Sequence, residues 1–339
     1  MNEISMIGLD LAKRVFQVHC AGAVGELVLG RRLRRGQVLG FFARLSPCVV
    51  GMEACASAHY WARELEALGH EVRLVPPAYV KPFVKRGRKS DAADAAAILR
   101  AMASPGMCFV PVKSTEDQAG LMLHRARQLL VRQRTQLANA LRAHLAELGI
   151  IAAQGETGLK ELIAIVADGG DRRLPAAART ALTLLVAQWE AAGDGIARLD
   201  REIRAWHRAS EASRRLATIP GIGPLAASAI VATVGDVSRF GRGRNFAAWL
   251  GLVPSQHSTG GKTVLGPITK MGDRYLRSLL VLGATAMLRR KGYGPWLVGL
   301  MARKKARQAS VALANKMARI AWAILAHGGV YRQPEASAA

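Results

Sequence analysis

The sequence is short of cysteine, of acids and of long apolar runs, and each shortage narrows what it can do. Its cysteines number 4. Cys20, Cys48, Cys55 and Cys108 are scattered without the close pairs that a zinc site or a dithiol redox motif needs, which leaves them as buried thiols of a reducing cytoplasm. The most apolar stretch, 278–288, falls far short of the ~20 residues that span a bilayer, and the N-terminus lacks signal-peptide architecture. The expectation is a cytoplasmic, nucleoid-associated protein with no membrane partner. No internal repeats or long low-complexity tracts interrupt the 339 residues, half of which are hydrophobic, so the chain has core material for two or three domains. Acids number 24 against 48 Lys and Arg, a net charge of +24. Most of those cations are Arg, whose planar fork suits phosphate, so nucleic acid is the expected partner.

The few acids therefore matter. In Met6-Ile7-Gly8-Leu9-Asp10-Leu11-Ala12 an apolar run arrives at one carboxylate. A run this short reads as a buried strand, and a lone Asp inside it costs several kcal/mol, of order 2–7, unless hydrogen-bonded, paired or holding a cation. Strand-like runs at 4–9, 15–21 and 25–33 form an antiparallel meander, followed by a helix at 37–45, a strand at 48–53 ending in Glu53, a helix at 57–68 and a strand at 71–75. After a basic loop, 81–89, Ser90 can cap a helix over 91–102. The order βββαβαβα is that of a ribonuclease-H-like fold. In such a fold the first and fourth strands are neighbours, so Asp10 and Glu53 meet. The late helix brings Asp91 and Asp94 across on one face, at spacing i, i+3. Four carboxylates in so basic a protein call for a divalent cation, and hard oxygen ligands select Mg²⁺ or Mn²⁺. Taken singly, Asp10 can cap a turn, Glu53 a helix, and Asp91 and Asp94 can favour a helix N-terminus.

Residues 116–149 read as one long helix with Leu130, Leu137, Leu141, Leu145 and Leu148 on one face and arginines around the remainder. A linker with Gly155, Gly158, Gly169-Gly170 and Pro175 leads to a second helical region, where Ile196, Leu199, Ile203 and Trp206 fall near heptad spacing. The two are expected to pair as an antiparallel coiled coil, either as an intramolecular hairpin or as a means of oligomerisation or RNA contact. From 216 the text changes. Ile219-Pro220-Gly221-Ile222-Gly223-Pro224 suggests a helix-hairpin-helix, in which Gly221 and Gly223 let backbone N–H groups approach a phosphate, or else a structural turn between helices. A short apolar helix at 245–253 opens into Ser255-Gln256-His257-Ser258-Thr259-Gly260-Gly261-Lys262, a plausible phosphate-handling loop. Lys262, Lys270, Arg274 and Arg277, with Lys85, Arg86, Arg88 and Lys89 of the earlier loop, are candidates to contact nucleic acid. So are Arg289 to Lys291 and the basic run 303–307. Residues from 333 onward read as a disordered tail.

These motifs in this order resemble one family. IGLDLAK, GMEA, KSDAADAAAIL, IPGIGPLAASAI, AAWLGLVPSQHSTGGK and KMGDRYLRSLL together look like the bridge-RNA-guided insertion-sequence transposases, the IS-one-ten family, and HSTGGK is most similar to its IS-eleven-eleven branch. The resemblance covers roughly residues 4–330. It implies a RuvC-like domain over 1–110 with a DEDD quartet at Asp10, Glu53, Asp91 and Asp94. It implies a coiled coil over 111–212 and a mainly helical transposase domain over 213–332 with a catalytic serine at Ser258, Ser255 being the alternative. It also implies donor and target DNA as substrates, a noncoding bridge RNA as guide, and dimers or tetramers.

Three activities fit these residues. The first is a serine-dependent, Mg²⁺-assisted, RNA-guided recombinase working through a phosphoserine. The second is a hydrolytic junction resolvase in which carboxylates activate water, and the third is a non-catalytic nucleic-acid scaffold.

Overall fold

A computed structural model describes residues 4–84, 90–289 and 294–332, and the chain divides into two compact units, Met1–Thr115 and Glu116–Ala339. The first unit carries a five-stranded sheet built from β1 (Met6–Asp10), β2 (Val15–Ala21), β3 (Leu27–Arg34), β4 (Val49–Glu53) and β5 (Glu71–Val75). Their order is β3-β2-β1-β4-β5, with the first three antiparallel and β4 and β5 parallel to β1. This is the order expected from the sequence, with β1 and β4 adjacent. Period-2 alternation divides the sheet into two faces. Ile7, Leu9, Val50 and Met52 turn to a core with Phe16, Phe42, Trp61 and Leu65, under α1 (Val38–Phe42) and α2 (Ala58–Ala67). The opposite face receives α4 (Asp91–Met102), after the short α3 (Pro77–Val80), and its core includes Val75, Ile98 and Met102.

The boundary falls at the first residue of α5 (Thr115–Ala146), which the second unit continues with α6 (Glu156–Ala167) and α7 (Ala176–Ala209). The helices α5 and α7 lie antiparallel. Gly120 sits against Trp206, Arg127 ion-pairs with Asp200, and the Arg134 guanidinium lies 4.1 Å from the Trp189 ring centroid. The stretch expected to be a linker holds α6, because Leu159, Leu162 and Val166 follow helical spacing and bury against Leu141, Leu145 and Leu182. The central helices belong to the same compact unit as the C-terminal region. His124 on α5 bonds both Tyr275 and Ser228, and Arg125 bonds Asp273.

The remainder comprises α8 (Glu211–Leu216), α9 (Pro224–Val234), α10 (Gly243–Trp249), the hairpin β6 (Pro254–Thr259) and β7 (Lys262–Ile268), α11 (Arg274–Leu288), α12 (Pro295–Arg303) and α13 (Ala306–His327). By length and composition α13 could cross a membrane. Its Ala314, Met317, Ala318, Ala321 and Ile324 are buried in the core with Leu276, Leu280, Phe246 and Ile230.

Candidate active site

Two glycines place the acidic cluster. Gly8 on β1 pairs with Gly51 on β4, and both lack a side chain on the face that meets α4. A Cβ at Gly8 would lie 2.1 Å from the Ala95 carbonyl oxygen, and one at Gly51 would lie 2.7 Å from Met102 Sδ. At Gly8 only glycine lets this alanine-rich helix rest directly on the strand, while at Gly51 the freed space is filled by the Met102 side chain. Asp10 and Glu53 are the i+2 residues of those glycines, so alternation sends both carboxylates to the same face, at the strand ends. Ser90 caps α4 by accepting from the Ala93 N–H at 3.2 Å, fixing Asp91 and Asp94 in the first turn.

The charges of the other three acids reach Asp10. The Asp10 carboxyl is pushed up to about 6, first by burial and then by the charges of Asp94, Asp91 and Glu53, against a hydrogen bond from the Leu11 backbone. The Cys55 thiol is pushed up by burial and by the Glu53 and Asp10 charges. Among the described residues, no three His, Cys, Asp or Glu side chains stand together as a ready ligand group for a metal ion. The donor set nonetheless has the chemistry a hard cation takes: carboxylate oxygens only, in a basic protein, with mutual repulsion to relieve. Lys85, Arg86, Arg88 and Lys89 lie outside the described residues, as do Arg290, Lys291 and the tail from 333.

In the second unit Ser258 stands on a β-hairpin, not in a loop. Thr259 pairs with Lys262 across Gly260 and Gly261, whose φ of +54° and +79° make the two-residue turn that suits paired strands. A Gly-Gly pair between strand-like runs was the available signal. Ser258 is exposed and its Oγ accepts from Gln256 Nε2 at 2.7 Å. Ser255 instead donates to the Pro267 carbonyl oxygen at 3.1 Å, a bond across the hairpin. Of the two, Ser258 is the more available to a substrate. Lys262, Lys270 and Arg274 are exposed.

Two of the expected phosphate contacts also have structural partners. Arg277 donates to the carbonyls of Leu250 and Met271 at 3.0 and 3.1 Å, holding the end of α10 to the loop before α11. Gly221, at φ +87°, is where the turn between α8 and α9 crosses α11: a Cβ on Gly283 would lie 2.0 Å from the Gly221 carbonyl oxygen, and one on Gly221 would lie 3.0 Å from that of Gly283. Packing therefore accounts for Gly221. Gly223 is exposed at the start of α9 with open space about it.

Known proteins resemble both units. A family model described as a DEDD transposase of the IS110 type matches residues 7–150, and one described as the transposase IS116/IS110/IS902 family matches residues 213–296. A probable family 20 transposase of Pseudomonas aeruginosa is 50% identical, over 97% of this chain and 99% of its own length. The transposase for insertion sequence element IS1328 of Yersinia enterocolitica is 39% identical over 98% of this chain and 99% of its own. The transposase for insertion sequence element IS1111A of Coxiella burnetii is 38% identical over 98% and 92%. With such identity running over nearly the full length, the chain belongs to the IS116/IS110/IS902 (IS-one-ten) family of insertion-sequence transposases.

Proposed function

We infer that this transposase cleaves and rejoins donor and target DNA through a phosphoserine at Ser258, with Asp10, Glu53, Asp91 and Asp94 of a RuvC-like domain as ligands of Mg²⁺ or Mn²⁺ and a bridge RNA supplying sequence choice. The observation that carries the metal reading is that adjacent β1 and β4 end in Asp10 and Glu53 on the face that receives α4, where burial first and then the Asp94, Asp91 and Glu53 charges push the Asp10 carboxyl up to about 6. A carboxylate kept on a buried strand against that cost is explained by a cation that offsets it. When bound, a divalent cation supplies Lewis-acid polarisation of phosphate oxygens. The chain's own part is nucleophilic: Ser258 Oγ loses its proton and bonds to phosphorus, the bond from phosphorus to the leaving sugar oxygen breaks, and that oxygen takes a proton. A second strand's hydroxyl reverses the step and frees the serine, so the phosphodiester count is conserved and no external energy is needed. Exposed Lys262 on the same hairpin offers a cation for the non-bridging oxygens. RNA guidance accords with the net charge of +24, since pairing can deliver sequence choice while protein holds backbone.

The test is a denaturing gel of protein, bridge RNA and DNA incubated with Mg²⁺. A protein–DNA adduct is expected from the wild type and none from Ser258→Ala. Strand cutting that survives Ser258→Ala but is lost in Asp10→Asn would replace this reading by hydrolysis.

A further inference from the structure

Away from the carboxylates and the serine hairpin, a cleft of about 810 Å³ opens within the second unit. Its walls come from α10, from the first turn of α12 and from one face of α13, and they carry Arg242, Arg244, Lys316 and Arg319 with no acid. Among the described residues, the Arg242, Arg244 and Arg319 guanidinium groups have no hydrogen-bond or ion-pair partner. Two tryptophans complete the lining. Trp322 is fixed, its Nε1 donating to the Phe240 carbonyl oxygen at 2.9 Å. Trp296 is 45% exposed, with Lys316 Nζ 4.0 Å from its ring centroid. Gly243 lets the Arg242–Arg244 segment lie against α13, since a Cβ there would come within 3.2 Å of Trp322 and of the Arg319 carbonyl oxygen.

We propose that this cleft holds an unpaired nucleotide of a nucleic-acid strand, its base stacked on Trp296 and its flanking phosphates met by Arg242, Arg244, Lys316 and Arg319. An exposed indole among cations is the pairing that single-strand sites use, because every base has a π-face and every linkage a charge. A duplex keeps its base faces stacked inside and can offer the cleft only its backbone, which would leave the indole without a use. A free nucleotide would engage one or two of the four cations, whereas a strand spaces its phosphates along the cleft.

The inference concerns binding and does not depend on Ser258 chemistry. The experiment is therefore run on the full chain in chelator, where the proposed cleavage is silent. Fluorescein-labelled oligonucleotides of about 15 residues, within the reach of single-strand sites, are titrated by anisotropy as single-stranded DNA, single-stranded RNA and duplex DNA. Trp296→Ala should weaken single-strand binding at least about fivefold while duplex binding changes less than about twofold, and Trp296→Tyr should restore most of the loss. Replacing Arg242 and Arg319 together by Gln should flatten the slope of log K against log salt by about 1.4 on single strands. The larger loss in the DNA arm assigns the cleft to an opened DNA strand, and the larger loss in the RNA arm to a guide. Unchanged single-strand affinity in Trp296→Ala, or equal losses on duplex and single strands, overturns the proposal. If Trp296→Ala fails to fold, the exposed arginines carry the test, and an unchanged salt slope is then decisive against it.

Discussion

The Tyr275 hydroxyl lies 3.1 Å from Nδ1 of His124, tying α11 to α5 through a buried imidazole. On its other side, Nε2 lies 3.1 Å from Ser228 Oγ, and that hydroxyl donates to the Pro224 carbonyl oxygen at 2.7 Å. The Ser228 proton is committed to Pro224, so Nε2–H donates to Ser228; burial favours the neutral imidazole, and in that form Nδ1 accepts from the Tyr275 hydroxyl. Burial, and then Arg127 and Arg125, push the His124 pKa down to about 4.

In the unfolded chain His124 takes up its proton near pH 6.5, whereas in the folded chain it does so only near 4. The unfolded state therefore binds more protons in between, and stability from this group is complete above pH 6.5 and lost as pH falls from 6.5 to 4. His59 in the first unit, pushed down to about 4 by burial, Lys113 and Arg63, acts in the same direction. A His124→Gln variant keeps an acceptor and a donor without titrating. Its urea midpoint should fall less steeply than the wild type's over that window, and Tyr275→Phe should lose about 1 kcal/mol at pH 7.5. Parallel pH profiles for wild type and His124→Gln would exclude this role.

Gly8→Ala tests how the acidic cluster is placed. Its new Cβ would meet the Ala95 carbonyl oxygen at 2.1 Å, so α4 must lift from β1, carrying Asp91 and Asp94 away from Asp10. Thermal melts with and without Mn²⁺ should show a metal-dependent rise in the wild type. That rise should be absent in Asp10→Asn and reduced in Gly8→Ala, which should also be destabilised by about 1–3 kcal/mol without metal. A full wild-type metal response in Gly8→Ala would separate helix placement from cation binding.

Arg277→Ala distinguishes a structural cation from one that meets DNA. Losing its bonds to the Leu250 and Met271 carbonyls should lower stability by about 1–3 kcal/mol in a denaturant titration. The salt slope of DNA binding should stay at the wild-type value. Exposed Lys262 and Arg274 should behave conversely, with melting unchanged and the slope reduced when each is replaced by Gln.

The first unit was legible because its signals are local. Alternation over 15–21 and 71–75, the Ser90 cap and the run ending at Glu53 each act within a few residues, and β2 and β5 form over those same ranges. The second unit was less so. Its Gly260-Gly261 turn reads as a loop until the strands on both sides are counted together, and α6 hides between glycines that look like a linker. Arg277 and Gly221 carry residue types that suit phosphate, and nothing within their own segments reveals that Arg277 bonds the Leu250 and Met271 carbonyls or that Gly221 packs against Gly283.

The sequence by itself determined the opening meander, the adjacency of β1 and β4 and the family, because periodicity, capping and motif order are read within short segments. Tertiary structure alone decided which glycines serve close packing, which cations are bound to backbone and which stand open around Trp296. Those outcomes depend on atoms brought together from distant segments: a guanidinium offers phosphate only the N–H groups that no folded carbonyl has already taken.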